Sequence, residues 1–326
     1  MITDSFNRTH NYLRISLTDS CNLRCFYCMP EEDYEFTPTS RLMKASEIES
    51  LAKVFVAAGV DKIRLTGGEP LVRRDAVDII NRLSQLQIEL SLTTNGTRLH
   101  HFVDTLLAAN IRSVNVSLDT LDRQKFKRIT RRDQFDVVYD NIQELLRIGI
   151  RVKVNVVVMK GVNDDELTDF VAWTKFQSID VRFIEFMPFT GNRWTNNQVM
   201  TLHEMLQVIS NEYDFSAVTA SPNETVKRFQ VPGFAGTFGV ISTMSSHFCG
   251  SCNRMRLTAD GKLKNCLFSE YETDLLSALR DGQDVEPLIR QCAMDKHFQL
   301  GGQLAPDLND VQADQIHNRS MITIGG

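Results

Sequence analysis

Three cysteines near the N-terminus have the residue type and spacing that iron chemistry needs. They are Cys21, Cys25 and Cys28, in the segment CNLRCFYC that directly follows the first predicted strand. Three thiolates at this spacing can ligate three irons of a [4Fe–4S] cluster, which leaves the fourth iron open to a small molecule. Structural zinc is the alternative, but zinc needs four ligands, and the closest imidazole is that of His10. The spacing favours a cluster at the carboxyl end of a strand.

A second group of three cysteines lies towards the C-terminus: Cys249, Cys252 and Cys266. Between them, Asp260 and Gly261 predict a hairpin turn, which would bring the last cysteine back towards the first two. A second cluster with one open iron could then bind a substrate atom. The alternative is structural zinc completed by His247 or Cys292. We expect Cys292, in the helical run PLIRQCAM, to be a buried core thiol.

Six short β-branched runs alternate with amphipathic helical stretches. The predicted strands are 12–18, 62–66, 89–94, 113–119, 151–158 and 180–186. The predicted helices are 46–59, 75–86, 98–108, 135–148 and 164–176. The first helix should begin with a capping box of Ser46 and Glu49 and end at Gly59. This alternation predicts a parallel sheet, either an open doubly wound sheet or an incomplete barrel.

Polar residues recur on one face of the predicted strands. The pairs that share a face are Arg14 with Ser16, Arg64 with Thr66, Ser91 with Thr93, Asn115 with Ser117, and Lys153 with Asn155. Helices cover both faces of a doubly wound sheet, so its strands should be almost wholly apolar. The pattern therefore favours an α/β fold with an incomplete (β/α)6 TIM-like barrel and a polar interior. The strand–helix rhythm stops near 190, which predicts a barrel at 1–190 and a C-terminal extension at 191–326.

The overall charge limits the classes of partner. A formal net charge of -5 argues against a general nucleic-acid binder, so local arginines must hold any anionic ligand. Arg254 and Arg256 share a strand face and suit a phosphate chain. The N-terminus lacks an apolar core of signal-peptide length, and no run approaches 18 apolar residues. We therefore expect a cytoplasmic protein that binds neither membranes nor nucleic acids.

The segment CNLRCFYC, followed by LTGGEPLVRRD at 65–75, resembles the radical S-adenosylmethionine (SAM) superfamily. That resemblance implies the incomplete barrel and a first cluster whose open iron binds the amino and carboxylate groups of SAM. One electron then cleaves SAM to methionine and a 5′-deoxyadenosyl radical. Gly67 and Gly68 would let exposed backbone meet the methionyl end of SAM without obstruction by a Cβ.

Further motifs resemble the GTP 3′,8-cyclase family of molybdenum cofactor biosynthesis. They are both cysteine groups, the hairpin arginines, NVSLD, KVNVV, RFIEFMP and the terminal Gly325-Gly326, and together they span essentially the whole chain. The resemblance implies conversion of GTP to (8S)-3′,8-cyclo-7,8-dihydro-GTP, the first step of that pathway. In the family reaction the radical abstracts the ribose 3′ hydrogen, the C3′ radical attacks guanine C8, and an electron reduces the product.

The resemblance assigns roles by position. Cys21, Cys25 and Cys28 hold the SAM cluster, and Cys249, Cys252 and Cys266 hold an auxiliary [4Fe–4S] cluster that meets the guanine. Tyr27, Gly68, Ser117 and Met187 line the SAM site. Arg14, Arg64, Thr93, Lys153, Arg254 and Arg256 bind GTP, with Lys62 and Arg182 as further candidates. Gly325, Gly326 and Arg14 are the expected catalytic positions, because the family threads the tail into the barrel near the substrate.

The same resemblance implies partners. They are GTP, a reducing electron donor of the flavodoxin or ferredoxin type, a downstream cyclic pyranopterin monophosphate synthase and a second copy of the chain in a homodimer. Another radical SAM enzyme with an auxiliary cluster, of the peptide maturase type, is one alternative, although such enzymes generally need more cysteines than this C-terminus supplies. A zinc-stabilised binding protein is the other, and the acidic balance argues against it.

Overall fold

Twelve strands form one sheet in the computed structural model, which describes residues 1–30, 34–219, 223–305 and 307–325. The first six are β1 (Tyr12–Ser16), β2 (Lys62–Thr66), β3 (Glu89–Thr94), β4 (Ser113–Ser117), β5 (Arg151–Val158) and β6 (Ile179–Glu185). The others are β7 (Ser216–Ala217), β8 (Lys227–Gln230), β9 (Thr237–Ile241), β10 (Arg254–Leu257), β11 (Lys262–Lys264) and β12 (Thr273–Asp274). The six strands predicted from sequence are all present, within two residues at each end.

Helices fill every interval between the first six strands. They are α1 (Ala45–Ala57), α2 (Ala76–Ser84), α3 (Val103–Ala108), α4 (Arg123–Thr130), α5 (Phe135–Arg147) and α6 (Leu167–Trp173). The later helices are α7 (Leu202–Ser210), α8 (Leu275–Arg280), α9 (Glu286–Met294) and α10 (Met321–Ile324). Within the described residues, no helix is both long enough and apolar enough to cross a membrane.

Strands β1 to β6 are parallel and lie side by side in chain order. The C-terminal region extends this sheet at both ends. Strand β10 pairs in parallel with β1, and β9 pairs in parallel with β6. Strands β11 and β12 continue one end, and β8 and β7 continue the other, in antiparallel order. The sheet is therefore continuous across residue 190, where the sequence predicts a domain boundary.

The sheet is strongly curved. Side chains from eight neighbouring strands line one cavity: Arg14, Arg64, Thr93, Asn115, Asn155, Arg182, Ile241 and Arg256. Laid flat, eight strands would extend about 34 Å from first to last at roughly 4.8 Å per strand. One cavity reaches all of them only if the sheet curls around it. The result is a mixed α/β fold with a large, mainly parallel sheet that surrounds a polar interior.

Apolar residues on the outer face of the sheet bind the helices. On β5, Val152, Val154 and Val156 are buried, whereas the alternating Lys153 and Asn155 are half-buried and point the other way. The outer valines belong to a hydrophobic core that also includes side chains of α1, α2 and α5. Burying a side chain of this size contributes about 1.5–3 kcal/mol, so the period-2 pattern specifies which face turns inward.

The predicted capping box at Ser46 and Glu49 is wrong. Helix α1 begins one residue earlier, after Lys44, whose backbone N–H donates to Glu47 Oε2 at 2.7 Å. Glu49 instead accepts from Lys53 and Arg82 on the helix surface. Two glutamates lie two residues apart here, and the sequence alone does not distinguish which one closes the first turn.

Glu185 fastens the C-terminal region to the end of β6. Its buried carboxylate accepts the backbone N–H groups of Leu202 at 2.8 Å, Met244 at 2.6 Å and Ser245 at 2.9 Å, and also the Ser245 hydroxyl. One side chain thus joins β6, the start of α7 and the loop that precedes the second cysteine group.

We predict that Glu185→Ala lowers the free energy of unfolding by about 3 kcal/mol, because each buried donor left without a partner costs about 1–3 kcal/mol. Urea denaturation monitored by circular dichroism measures the change. Glu286→Ala, which removes an exposed glutamate paired with Arg290, should change stability by less than about 0.5 kcal/mol. Equal stability of the two variants would show that the Glu185 contacts are not needed.

Candidate active site

The first cysteine group lies in the loop after β1, at the carboxyl ends of the parallel strands. Its backbone is held by α4, because Arg24 N donates to Thr130 O at 2.9 Å and Phe26 N donates to Ile129 O at 3.1 Å. A single helical turn follows, in which Met29 N donates to Cys25 O at 2.8 Å. These backbone contacts fix the loop independently of its cysteine side chains.

The GGEP turn after β2 packs directly against this loop. Gly68 N donates to Thr18 O at 2.7 Å, and Glu69 N donates to Ser20 O at 2.8 Å. A Cβ on Gly68 would lie 2.5 Å from Asp19 O and 2.7 Å from Ser20 O. The space that the missing side chain leaves is therefore filled by the cysteine loop, whereas the sequence suggested that it faces a ligand.

Glu69 extends these contacts to β3. Its fully buried carboxylate accepts from Leu71 N at 2.9 Å, the Thr94 hydroxyl at 2.9 Å and Asn95 N at 2.6 Å. Burial raises the pKa of Glu69 to about 7, although these hydrogen bonds act in the opposite direction. Asn95 Nδ2 lies 3.6 Å from Cys21 Sγ, so the turn reaches the first cysteine through an amide.

The donor set of this loop fits a multinuclear iron centre. Burial, followed by neighbouring negative groups, raises the pKa of Cys21 to about 11 and that of Cys28 to about 12. The same causes raise the pKa of Cys25 well above its usual value. Thiols packed this closely become thiolates readily only beside a strongly positive centre, which iron supplies.

The residues expected to line the SAM site lie in different surroundings. The Tyr27 hydroxyl donates to Asp119 Oδ2 at 2.6 Å, and burial raises the pKa of that carboxyl to about 6. Ser117 ends β4 beside Asn155 of β5. Of the four positions, only Met187 lines the central cavity described next.

A cavity that opens partly to solvent occupies the interior of the curled sheet. We call it the central cavity. Five arginines line it: Arg14, Arg64, Arg182, Arg254 and Arg256. Among the described lining residues there is no aspartate or glutamate. Arg182 alone of these five has a carboxylate within ion-pair distance in the described chain, that of Asp180 at 2.6 Å. Such a surplus of buried positive charge is costly unless an anion enters.

Further cations lie close to these arginines. Burial and then neighbouring arginines lower the pKa of Lys153 to about 7. Three cations lie near the Tyr12 ring, with Arg14, Lys62 and Arg64 at 5.7, 5.5 and 5.4 Å from its centroid. Lys153 is not among the residues that line the cavity, and Lys62 is paired with Glu89 at 2.6 Å.

The second cysteine group faces the central cavity. Cys249, Cys252 and Cys266 all line it, together with Thr93 and Met187. The hairpin predicted at Asp260-Gly261 joins the antiparallel strands β10 and β11 and returns Cys266 towards the other two. Burial raises the pKa of Cys252, but Arg254 and Lys296 outweigh it and hold that pKa at about 6. Cys252 therefore suits the thiolate form, whereas burial raises the pKa of Cys249.

The side chains proposed as a fourth zinc ligand make other contacts. The His247 Nδ1 atom lies 2.7 Å from Thr243 O, and the buried Cys292 thiol points to Leu263 O at 3.8 Å. Within the described residues, no three His, Cys, Asp or Glu side chains converge on a position for one metal ion. Cluster ligation has no such requirement, because each thiolate binds a different iron.

The C-terminal tail enters the space that the curled sheet surrounds. Arg256 Nη1 donates to Gly325 O at 2.6 Å, and a Cβ on Gly325 would lie 2.6 Å from the Thr66 hydroxyl. Gly325 also has a positive φ of 83°, which favours glycine. Arg319 anchors the approach through ion pairs with Asp260 at 2.9 Å and Glu272 at 2.6 Å. Gly326 lies outside the described residues.

Sequence reasoning missed several contributors. Glu69 lies in the motif GGEP and Asp119 in the motif NVSLD. An acidic residue inside a predicted ligand motif could have identified both, and the structure buries both side chains. Tyr12 shares a strand face with Arg14 and could have been found by the same alternation. Asn95 and Lys296 carry no local signal, because only the fold brings them to a cysteine.

We predict that Gly68→Ala prevents assembly of the first iron centre, because the new Cβ forces the cysteine loop away from the turn. Iron content after anaerobic reconstitution should fall from about eight to about four per chain. Gly250→Ala is the matched control inside the second cysteine group, where a Cβ meets nothing within 4 Å, and it should keep about eight. Full iron loading of Gly68→Ala would contradict the packing argument.

Comparisons with known proteins agree with this geometry. Residues 15–174 match the family model described as Radical SAM superfamily, and residues 179–299 match the one described as Molybdenum Cofactor Synthesis C. The crystal structure of Streptococcus suis SuiB bound to S-adenosylmethionine has a TM-score of 0.62 and 16% identity, covering 97% of this chain and 74% of that one. This likeness shows a shared fold.

Curated relatives are much closer in sequence. A protein of Rhodopirellula baltica named GTP 3′,8-cyclase is 42% identical, covering 100% of this chain and 92% of that protein. The Arabidopsis thaliana protein named GTP 3′,8-cyclase, mitochondrial, is 44% identical, with coverage of 100% and 84%. Molybdenum cofactor biosynthesis protein 1 of Mus musculus is 47% identical over 99% of this chain and 51% of its own length. The chain thus spans about half the length of the mammalian relatives, and it belongs to the GTP 3′,8-cyclase family of the radical SAM superfamily.

Proposed function

We propose that this chain converts GTP to (8S)-3′,8-cyclo-7,8-dihydro-GTP, the first step of molybdenum cofactor biosynthesis. The observation that carries the proposal is the central cavity, in which five arginines and three cysteines face the same space and none of the described lining residues is acidic. A triphosphate supplies the charge that these arginines need, and a purine supplies atoms that can meet an open iron. A ligand with both parts matches the two kinds of group that line this one cavity.

The proposal assigns each group of residues a task within an incomplete (β/α)6 barrel at 1–190 and a C-terminal region at 191–326. Arg14, Arg64, Thr93, Lys153, Arg254 and Arg256 bind GTP, and Arg182 joins them. Tyr27, Gly68, Ser117 and Met187 hold SAM beside the first cysteine group. Bound there, a [4Fe–4S] cluster and SAM would supply one electron and a 5′-deoxyadenosyl radical.

The chain's own residues orient the substrate and exclude water. Arginines on β1, β2 and β10 lie at one level of the sheet, since Arg14 is in register with both Arg64 and Arg256. These three side chains can therefore bind neighbouring phosphates of one ligand. Asn115 and Asn155 have buried side-chain oxygens without a partner among the described residues, which can accept hydrogen bonds from ligand hydroxyls. The tail closes the interior through Gly325, and Gly325, Gly326 and Arg14 are the proposed catalytic positions.

The wider assignments belong to the same proposal. We infer a reducing compartment, the cytoplasm, because six cluster cysteines must stay reduced. The cycle needs a low-potential donor of the flavodoxin or ferredoxin type, and cyclic pyranopterin monophosphate synthase would consume the product. A homodimer is expected from the family.

Nucleotide-dependent SAM cleavage tests the proposal. Anaerobically reconstituted and reduced protein, incubated with SAM, should form 5′-deoxyadenosine together with the cyclised nucleotide when GTP is present, and far less with ATP or no nucleotide. Arg256→Ala should weaken GTP binding at least tenfold, about 1.4 kcal/mol, because it removes charge-assisted hydrogen bonds. Arg147→Ala, which removes an exposed arginine paired with Glu144, is the control. Formation of 5′-deoxyadenosine at the same rate without GTP would refute the assignment.

Triphosphate binding should also take up a proton near pH 8. The pKa of Lys153 in the free protein is about 7, so its amine is mostly neutral at that pH. A bound polyanion favours the charged form and raises the pKa, which draws a proton from the buffer. The uptake should disappear below about pH 6, where the amine is already protonated. Titration calorimetry in two buffers of different ionisation enthalpy measures it, and Lys153→Met should remove it. Equal heats in both buffers at pH 8 would contradict the prediction.

A further inference from the structure

Lys296 lies buried against the second cysteine group. It lies two residues beyond the end of α9, and only 4% of its surface is exposed. Its ammonium nitrogen lies 3.4 Å from Cys252 Sγ and donates to Arg254 O at 3.0 Å. Lys296 is not among the residues that line the central cavity, so it approaches the sulfur from the side away from the substrate space.

The charge of this ammonium has no carboxylate partner. Within the described residues, no aspartate or glutamate oxygen lies within ion-pair distance of Lys296, in contrast to the buried Lys264, which is paired with Glu272 at 3.4 Å. A buried cation is strongly disfavoured without a negative group nearby. The negative group within reach of Lys296 is the Cys252 thiolate.

The N-terminal segment holds Lys296 in place. The Arg8 guanidinium donates to Cys249 O at 2.7 Å, to Phe298 O at 2.7 Å and to His297 O at 3.2 Å. Asp4 fixes this guanidinium through a 2.6 Å ion pair. One side chain thus connects the loop of the second cysteine group with the two residues after Lys296. The ammonium-to-sulfur distance is therefore set by the fold and not by a flexible surface lysine.

We propose that Lys296 raises the reduction potential of the auxiliary cluster held by Cys249, Cys252 and Cys266, and the inference rests on the proposed function for the existence of that cluster. Reduction adds one negative charge to the cluster and its thiolates. A fixed cation that donates a hydrogen bond to a ligating sulfur stabilises the reduced form more than the oxidised form. Lys296 is a positioning residue of the cluster and touches no substrate.

The first cysteine group provides the contrast. The side chain within hydrogen-bond distance of a sulfur there is the neutral Asn95 amide, 3.6 Å from Cys21 Sγ among the described residues. Carboxylates lie beside that group, because Glu69 accepts from Asn95 N at 2.6 Å and Asp119 accepts from the Tyr27 hydroxyl at 2.6 Å. The Lys296 contact therefore distinguishes the auxiliary cluster, which lies on the substrate side of the molecule.

Potentiometric titration of the reconstituted full-length protein, followed by electron paramagnetic resonance, tests this inference. Added SAM perturbs the signal of the first cluster and so identifies it. In Lys296→Met, the ratio of reduced to oxidised auxiliary cluster at a fixed solution potential should fall at least tenfold, which is about 59 mV. The midpoint potential of the first cluster should stay unchanged. It serves as the internal control, because a general loss of structure would change both midpoint potentials.

Two further variants separate charge from structure. Lys296→Gln keeps a hydrogen-bond donor but loses the charge, so its auxiliary midpoint should also fall, whereas Lys296→Arg keeps the charge and should stay near the original value. An unchanged auxiliary midpoint in the Gln variant, with about eight irons bound, would overturn the inference and leave the proposed function intact. Only about four irons in the unsubstituted protein would instead overturn both, because no auxiliary cluster would exist.

Discussion

Unbalanced positive charge inside a curled sheet is the constraint on which the rest of this structure depends. Arg14, Arg64 and Arg256 occupy one level of three adjacent strands, where repulsion and desolvation both oppose burial. The apolar outer face of the sheet and the helices that cover it must supply the free energy that keeps these side chains inside. The interior therefore favours polyanions, because an anion would offset the charge that the protein alone leaves unbalanced. That explains why the C-terminal region shares the same sheet: β10 brings two of the arginines.

The two cysteine groups have opposite electrostatic surroundings, and the difference follows from their elements. The first loop lies where the carboxyl ends of β2, β3 and β4 place Glu69 and Asp119, so its thiols resist ionisation until a metal centre binds. The second group lies between an arginine strand and Lys296, which favour the thiolate of Cys252. The two groups therefore differ in their electrostatic surroundings although each has three cysteines. The surroundings, and not the ligands, distinguish the two groups.

Much of this arrangement could be predicted from sequence, because period-2 patterning is local. The alternation that gave Lys153 and Asn155 a common face needed only neighbouring residues, and the structure turns that face inward. Cysteine spacing was equally local. The contacts of Glu185, Asn95 and Lys296 were not predictable, because each joins segments between 17 and 74 residues apart in the chain. Even the first turn of α1 was misassigned, since two glutamates compete there and the tertiary partner Arg280 of Glu47 is remote in sequence.

The unbalanced positive charge of the interior also determines a contact of the C-terminal tail. The Arg256 guanidinium donates to the Gly325 carbonyl, which is a neutral acceptor. A carbonyl dipole compensates a buried cation less well than an anion does, so this contact is weaker than the one that a triphosphate offers. The Arg319 ion pairs with Asp260 and Glu272 keep the tail docked whichever acceptor Arg256 takes. A side chain at Gly325 would collide with Thr66, so the contact between the tail and Arg256 depends on glycine at this position.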